Sequence, residues 1–183
     1  MKKMMLFFVF LTCLGMALCP PLDKKVIEVK VIRFYEFLQY ERELALFAEH
    51  LGWKESRNNW QVINSINCMG AYQFHPKTLQ RLGYDIKPAE FRKDPSIFPK
   101  ELQEECLRLL IKVNLMSLKK YEHYIGTTIK GIKITRSGLL AGMHLGGLGS
   151  VKVFLLTNGK ADRQDMNGTS ISDYIKEFSA YKI

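Results

Sequence analysis

The sequence predicts a mainly α-helical domain with minor β structure. Apolar residues recur at helical spacing in two long stretches, 41–55 and 100–120. Strand character is confined to one short stretch, 126–135 (GTTIKGIKIT). Glycine, proline and asparagine clusters separate the patterned segments, and no internal repeat or low-complexity run is present. With 183 residues, 47% of them apolar, the chain has the size and composition of one ordinary domain with its own core.

In chain order, residues 1–19 read as an export signal. Lys2 and Lys3 form a basic start and residues 4–18 an apolar run, shorter than the roughly 20 residues that span a bilayer. Gly15-Met16-Ala17 supplies small residues for cleavage. Alternatively, Met16-Ala17-Leu18-Cys19 presents Cys19 for lipid attachment and membrane anchorage, with Leu18 where a small residue is expected. Residues 20–40 form a linker and N-terminal segment that opens with Pro20-Pro21; positions 24–40 fit a strand or a helix. The main domain is expected over 41–183. Its first helix, 41–55, is followed by an irregular Asn-, Ser- and Gly-containing segment, 56–76. Residues 77–82 form a short helix stopped by Gly83, and 84–99, with Pro88, Pro95 and Pro99, an extended surface connection. The helix over 100–120 carries the stripe Leu102, Cys106, Leu109, Val113, Met116. After the 126–135 hairpin, helices over 137–145 and 149–157 are broken at Gly146-Gly147, and a last helix covers about 170–179.

Charge narrows the partners. The formal net charge of +9 falls to about +7 without Lys2 and Lys3, so an exported form associates with anionic surfaces and polymers. Lysines and arginines are scattered, with no basic arm and no nucleic-acid motif, which argues against nucleic acid. His50, His75, His123 and His144 are isolated, no metal-ligand spacing occurs, and no metal or cofactor is expected. Gly146-Gly147-Leu148-Gly149-Ser150-Val151 lacks the last glycine of a dinucleotide fingerprint and the Lys-Ser/Thr of a phosphate loop. Asn167-Gly168-Thr169 reads as a turn leading into the last helix. Cys68 and Cys106 permit one disulfide in an oxidising compartment, while Cys106 is equally accounted for as a core residue.

The chemically informative residue is Glu55. Leu44, Ala48, Leu51 and Glu55 fall at i, i+4, i+7 and i+11, flanked by Phe47, so Glu55 shares the apolar face of its helix. A carboxyl removed from water stays protonated to higher pH and can give its proton to a leaving oxygen. The alternative is a helix-end Glu paired with Lys54 or Arg57. A glycine-and-amide segment follows, Asn64 … Gly70-Ala71-Tyr72-Gln73-Phe74-His75-Pro76, suited to a polar, uncharged polymer.

Taken together, Glu55-Ser56, Asn64, Gly70, Gln73 and Pro76 resemble the E-S … S-x-x-G-A-x-G-L-M-Q-x-x-P pattern of lytic murein transglycosylases in the lysozyme-like superfamily. The segment from Leu139 through Val151 resembles that family's A-Y-N-x-G-x-G-x-V segment, and Asp173-Tyr174 its late Tyr motif. The resemblance spans roughly residues 42–181. His144 stands where the family has Asn, Met143 where it has Tyr, Asn64 where it has Ser and Asn67 where it has Gly.

The resemblance implies a two-lobed lysozyme-like domain with a central cleft, acting on peptidoglycan glycan strands in the periplasm or cell envelope. Glu55 matches the catalytic acid; Asn64, Tyr72, Gln73, His144 and Tyr174 match positions that contact the sugar. The implied reaction cleaves the MurNAc–GlcNAc β-1,4 bond and closes a 1,6-anhydro ring with one acid. Hydrolysing glycosidases use two carboxylates, about 5–9.5 Å apart. The acids next after Glu55 are Asp85, Glu90 and Asp94, so a muramidase with Asp85 or Asp94 as partner is the alternative reaction. A non-catalytic wall-binding module is the other, motivated by His144 and Met143.

Overall fold

The structure, a computed structural model, describes residues 24–183, with side chains from residue 28 onward. The expected signal over 1–19, Cys19 included, lies outside the described residues. The chain divides into two units, Met1–Tyr40 and Glu41–Ile183. Helix α1, Lys24–Ser56, runs from one into the other. No Pro or Gly occurs between Pro21 and Gly52 to stop it, so positions 24–40 are helical and continue into the expected 41–55 helix.

The second unit continues with α2 (Pro76–Arg81), α3 (Pro88–Lys93), a 3₁₀ turn (Pro95–Ile97), α4 (Lys100–Leu118) and another 3₁₀ segment (Lys119–Tyr124). Strands β1 (Thr128–Ile129) and β2 (Ile132–Lys133) pair antiparallel, with Ile129 opposite Ile132. Lys130 and Gly131 at the turn both have positive φ, as a tight two-residue hairpin requires. Helices α5 (Arg136–Leu156) and α6 (Ile171–Glu177) complete a mainly helical fold with minor β.

Two expectations need correction. Residues 84–99 are not extended: Pro88 and Pro95 each open a helical turn, where proline's missing N–H costs nothing. The Asp94 carboxylate accepts from Ser96 N–H at 3.0 Å and caps the second turn. On α4 the buried face is Gln103, Cys106, Leu107, Leu110, Ile111, Asn114 and Leu118, while Met116 is 62% exposed. Two buried amides, Gln103 and Asn114, stand on the core face, so an apolar count turns the helix away from its true orientation. Cys68 and Cys106 are both free and buried; no disulfide joins them. Burial pushes the Cys106 thiol up to about 12, as for an inert core residue.

The core gathers Leu44, Phe47 and Leu51 of α1 with Phe178, whose ring lies 5.4 Å from that of Phe47. A second aromatic group, Phe74, Phe91 and Phe98, seats the segments between α1 and α4. Helix α5 packs closely on α6 because Gly138, Gly142 and Gly146 recur every fourth residue. A Cβ at Gly138 would meet the Ile175 carbonyl, and one at Gly146 the Ile171 side chain. The chain breaks at Gly147 (φ 71°, ψ 171°), where the sequence places the interruption.

Helix α6 begins in a capping box. Ser170 Oγ accepts from Asp173 N–H at 3.1 Å, and the Asp173 carboxylate accepts from Ser170 N–H at 2.9 Å. Hydrogen bonds from Ser170, side chain first and then backbone, hold the Asp173 carboxyl below its ordinary 3.8. A depressed carboxyl stabilises the fold above the unfolded value and loses that contribution as pH falls through the folded one. Asp173→Asn should therefore cost about 0.5–1 kcal/mol at neutral pH. In urea titrations the gap from the parent protein should close as the pH drops below 3.8.

Candidate active site

Glu55 occupies the last turn of α1. The helix ends because Arg57 and Asn58 take left-handed conformations (φ 59° and 58°). Their N–H groups then bond the carbonyls of Trp53 (2.9 Å) and Gly52 (3.0 Å). Leu44, Phe47 and Leu51 are buried on the same face, and the Glu55 side chain is correspondingly only 15% exposed. Neither basic neighbour pairs with it. Lys54 bonds Glu177 at 2.6 Å, and the Arg57 guanidinium stacks 3.7 Å over the Trp53 ring.

Instead, Tyr174 Oη donates to Glu55 Oε1 at 2.8 Å. Burial, reinforced by the charge of Glu55, pushes the Tyr174 phenol well above its ordinary value, so it remains a neutral donor. His144 Nε2 lies 3.9 Å from the same oxygen. It also lies 2.7 Å from the Tyr72 carbonyl, and a carbonyl only accepts, so Nε2 carries the proton. His144 Nδ1 is buried without a partner. The imidazole thus links the Tyr72 backbone to the acid's surroundings.

Glu55 and His144 border a cleft of about 630 Å3, within the range of ligand sites. Glu55, Asn64, Gln73 and His144 all line it, joined by Cys68, Gly147 and Asp165. Asn64 Oδ1 accepts from Ile66 N–H (3.0 Å) and Cys68 N–H (2.8 Å), so the amide shapes the loop as well as facing the cleft. Gln73 has φ 47°, a strained value for a residue with a side chain, and its Nε2 donates to Gly70 O at 2.8 Å. Tyr174 reaches the site through Glu55. Tyr72 does not bring its ring to the cleft: the buried side chain lines a separate cavity of about 330 Å3 with Leu44, Leu107 and Arg108. Only its carbonyl serves the site. Burial, with the charge of Glu104 adding, pushes the Tyr72 phenol up to about 12.

The acid absent from the sequence-derived set is Asp165. It lines the cleft, and its Oδ1 accepts from Asn167 N–H (2.9 Å) and Thr169 N–H (2.8 Å), closing the turn before α6. In sequence that Asp-x-Asn-Gly-Thr run signals only a turn. The two acids expected as partners are elsewhere: Asp85 pairs with Lys87, and Asp94 caps its 3₁₀ turn. Of the glycines, Gly146 packs against Ile171 while Gly147 borders the cleft.

The 56–76 segment is held from beneath by Gln103, which has no exposed surface. Its Oε1 accepts from Ala71 N–H at 2.7 Å, and its Nε2 donates to the carbonyls of Trp60 (2.8 Å) and Phe98 (2.7 Å). Gly70 lies so close that a Cβ there would collide with the Gln103 amide, and its φ of 78° also requires glycine. Ser56 Oγ donates to Ala71 O at 2.8 Å, tying the loop to the residue after the acid. Gln103→Leu strands three backbone groups, each costing about 1–3 kcal/mol when buried without a partner. The substitution should lower unfolding free energy by about 3 kcal/mol or more; denaturant titration with an unchanged midpoint would contradict the scaffold role. No family model matches the chain, and neither a curated protein nor a solved structure matches it.

Proposed function

We propose that the protein is a peptidoglycan lytic transglycosylase on a two-lobed lysozyme-like fold, exported to the cell envelope. Its substrate is the MurNAc–GlcNAc β-1,4 bond of glycan strands. The observation that carries this reading is the setting of Glu55: a mostly buried carboxyl at a cleft, bonded by one neutral phenol and paired with neither adjacent cation. In the reaction, protonated Glu55 gives its proton to the glycosidic oxygen as the C–O bond breaks. The substrate's own N-acetyl oxygen supports the developing cation. Ionised Glu55, steadied by the Tyr174 hydroxyl, then takes the proton of the MurNAc 6-hydroxyl, whose oxygen closes the 1,6-anhydro ring. No water is consumed and the acid is regenerated. Gln73 and Asn64 supply amide groups for the sugar's hydroxyl and acetamido functions.

Asp165 favours a second reading. It is an additional carboxylate bordering the same cleft, with Oδ1 engaged by the loop. It is a candidate to orient water, and the products would then be reducing ends, as in a muramidase. Mass spectrometry of fragments from purified peptidoglycan separates these chemistries. The transglycosylase predicts anhydro ends, reduced by about 10²-fold or more in Glu55→Gln and retained in Asp165→Asn. Reducing ends lost in both variants would establish hydrolysis. Wall binding without fragments from the parent protein would overturn both in favour of a non-catalytic module.

A further inference from the structure

The cavity of about 330 Å3 between α1 and α4 lies within the second unit and shares no lining residue with the Glu55 cleft. Its size is that of a small-ligand site. Two hydrogen-bonding side chains converge there without a partner. Tyr72 is only 5% exposed, yet its hydroxyl bonds nothing among the described residues. The same holds for the side-chain amide of Asn58. A Cβ at the buried Gly52 would collide with Asn58 Oδ1 and lie 3.2 Å from Tyr72 Cε1, so amide and ring meet where α1 carries no side chain. A buried hydroxyl left without a partner costs free energy that a polar ligand recovers.

The bordering charges decide what kind of ligand fits. They are Glu49, Lys100, Glu104 and Arg108. Arg108 is bound to Glu41 at 2.7 Å, and Lys100 faces Glu104 at 3.7 Å. Glu49 has neither an ion pair nor a hydrogen bond among the described residues. It precedes Gly52 by one helical turn, so its carboxylate stands at the same end of the cavity as Asn58 Oδ1. That end therefore offers acceptors and an uncompensated negative charge. Leu44, Ala45, Ala48 and Leu107 supply the apolar walls. We propose that the cavity is a binding site for a small primary ammonium compound on a short alkyl stem. The ammonium donates to Glu49 and Asn58 Oδ1, a charge-assisted contact, and the stem lies along Ala45, Ala48 and Leu107. An anion is disfavoured, because it would meet Glu49 and Glu104 while both bases are engaged. The site is independent of what the Glu55 cleft holds.

Nuclear magnetic resonance titration of the isotope-labelled full chain tests this with three probes, butylammonium, N-butylacetamide and butyrate, which share a short alkyl stem and differ in charge. Butylammonium should shift the backbone amides of Ala45, Ala48 and Ala71 saturably, and bind several-fold more tightly than N-butylacetamide or butyrate. Glu49→Gln should weaken butylammonium several-fold, and Tyr72→Phe should weaken it by removing the buried hydroxyl. Ala45→Leu should abolish the shifts at Ala48 and Ala71 by filling the cavity. Glu49 and Ala45 are exposed, so both substitutions leave the fold in place, which an otherwise unchanged spectrum verifies. Butyrate or N-butylacetamide binding as tightly as butylammonium would overturn the proposal. So would an affinity unaffected by Glu49→Gln, or the absence of saturable shifts at these alanines. Shifts confined to Asn64 and Gln73 would place the amine in the Glu55 cleft and overturn it equally.

Discussion

Gln103 is a fully buried amide on the core face of α4, and the geometry of the 56–76 loop rests on its hydrogen bonds to Ala71, Trp60 and Phe98. A buried amide of this kind has only a few correct neighbours, because every unmet donor or acceptor is expensive away from water. The loop is therefore held in one shape. Gly70 is the residue that tolerates the closeness of the amide, and Ser56 fastens the other side of Ala71 to the end of α1. Two rigid elements, α1 and α4, in this way fix an irregular segment that has little regular pairing of its own beyond the bridges at Met69.

The cleft chemistry follows from that support. With Ala71 pinned, Tyr72 turns its carbonyl to His144 Nε2, and Gln73 is forced into a left-handed conformation at the cleft wall. His144 Nε2 donates to the Tyr72 carbonyl and lies 3.9 Å from Glu55 Oε1, so the imidazole is oriented by the backbone beside the acid. From the other side, close packing of the glycine face of α5 on α6 and the capping box at Ser170 set the position of Tyr174, whose phenol holds Glu55 Oε1. Acid, phenol and imidazole come from three separate helices; the acid and the phenol bond each other, and the imidazole bonds a backbone carbonyl.

Much of this was legible in the sequence. The α1 stripe puts Glu55 on the buried face, the Gly146-Gly147 pair marks the break in α5, and the Thr-Ile-Lys-Gly-Ile run marks the hairpin. Asn64, Gln73 and His144, far apart in the chain, meet in one cleft with Glu55. What was illegible has a common cause: polar residues and prolines in roles that pattern counting assigns to the surface. Gln103 and Asn114 sit inside, which turns α4 relative to its apolar count. Pro88 and Pro95 begin helical turns where proline usually signals interruption. Tyr72, adjacent to a cleft residue, points to the opposite side because neighbouring residues in an irregular loop need not share a face. Asp165 resembles a turn residue because it is one; its place beside the cleft depends on how the loop before α6 folds back.

In the proposed reaction a glycan strand lies in this cleft with its scissile oxygen at residue 55. A crystal structure of Glu55→Gln with a bound GlcNAc–MurNAc oligomer tests it most directly. The expected result is a sugar chain passing Gln73 and Asp165, with one glycosidic oxygen within hydrogen-bonding distance of the substituted amide. An oligomer seated in the Tyr72 cavity, or a cleft left empty at saturating oligomer, would contradict it.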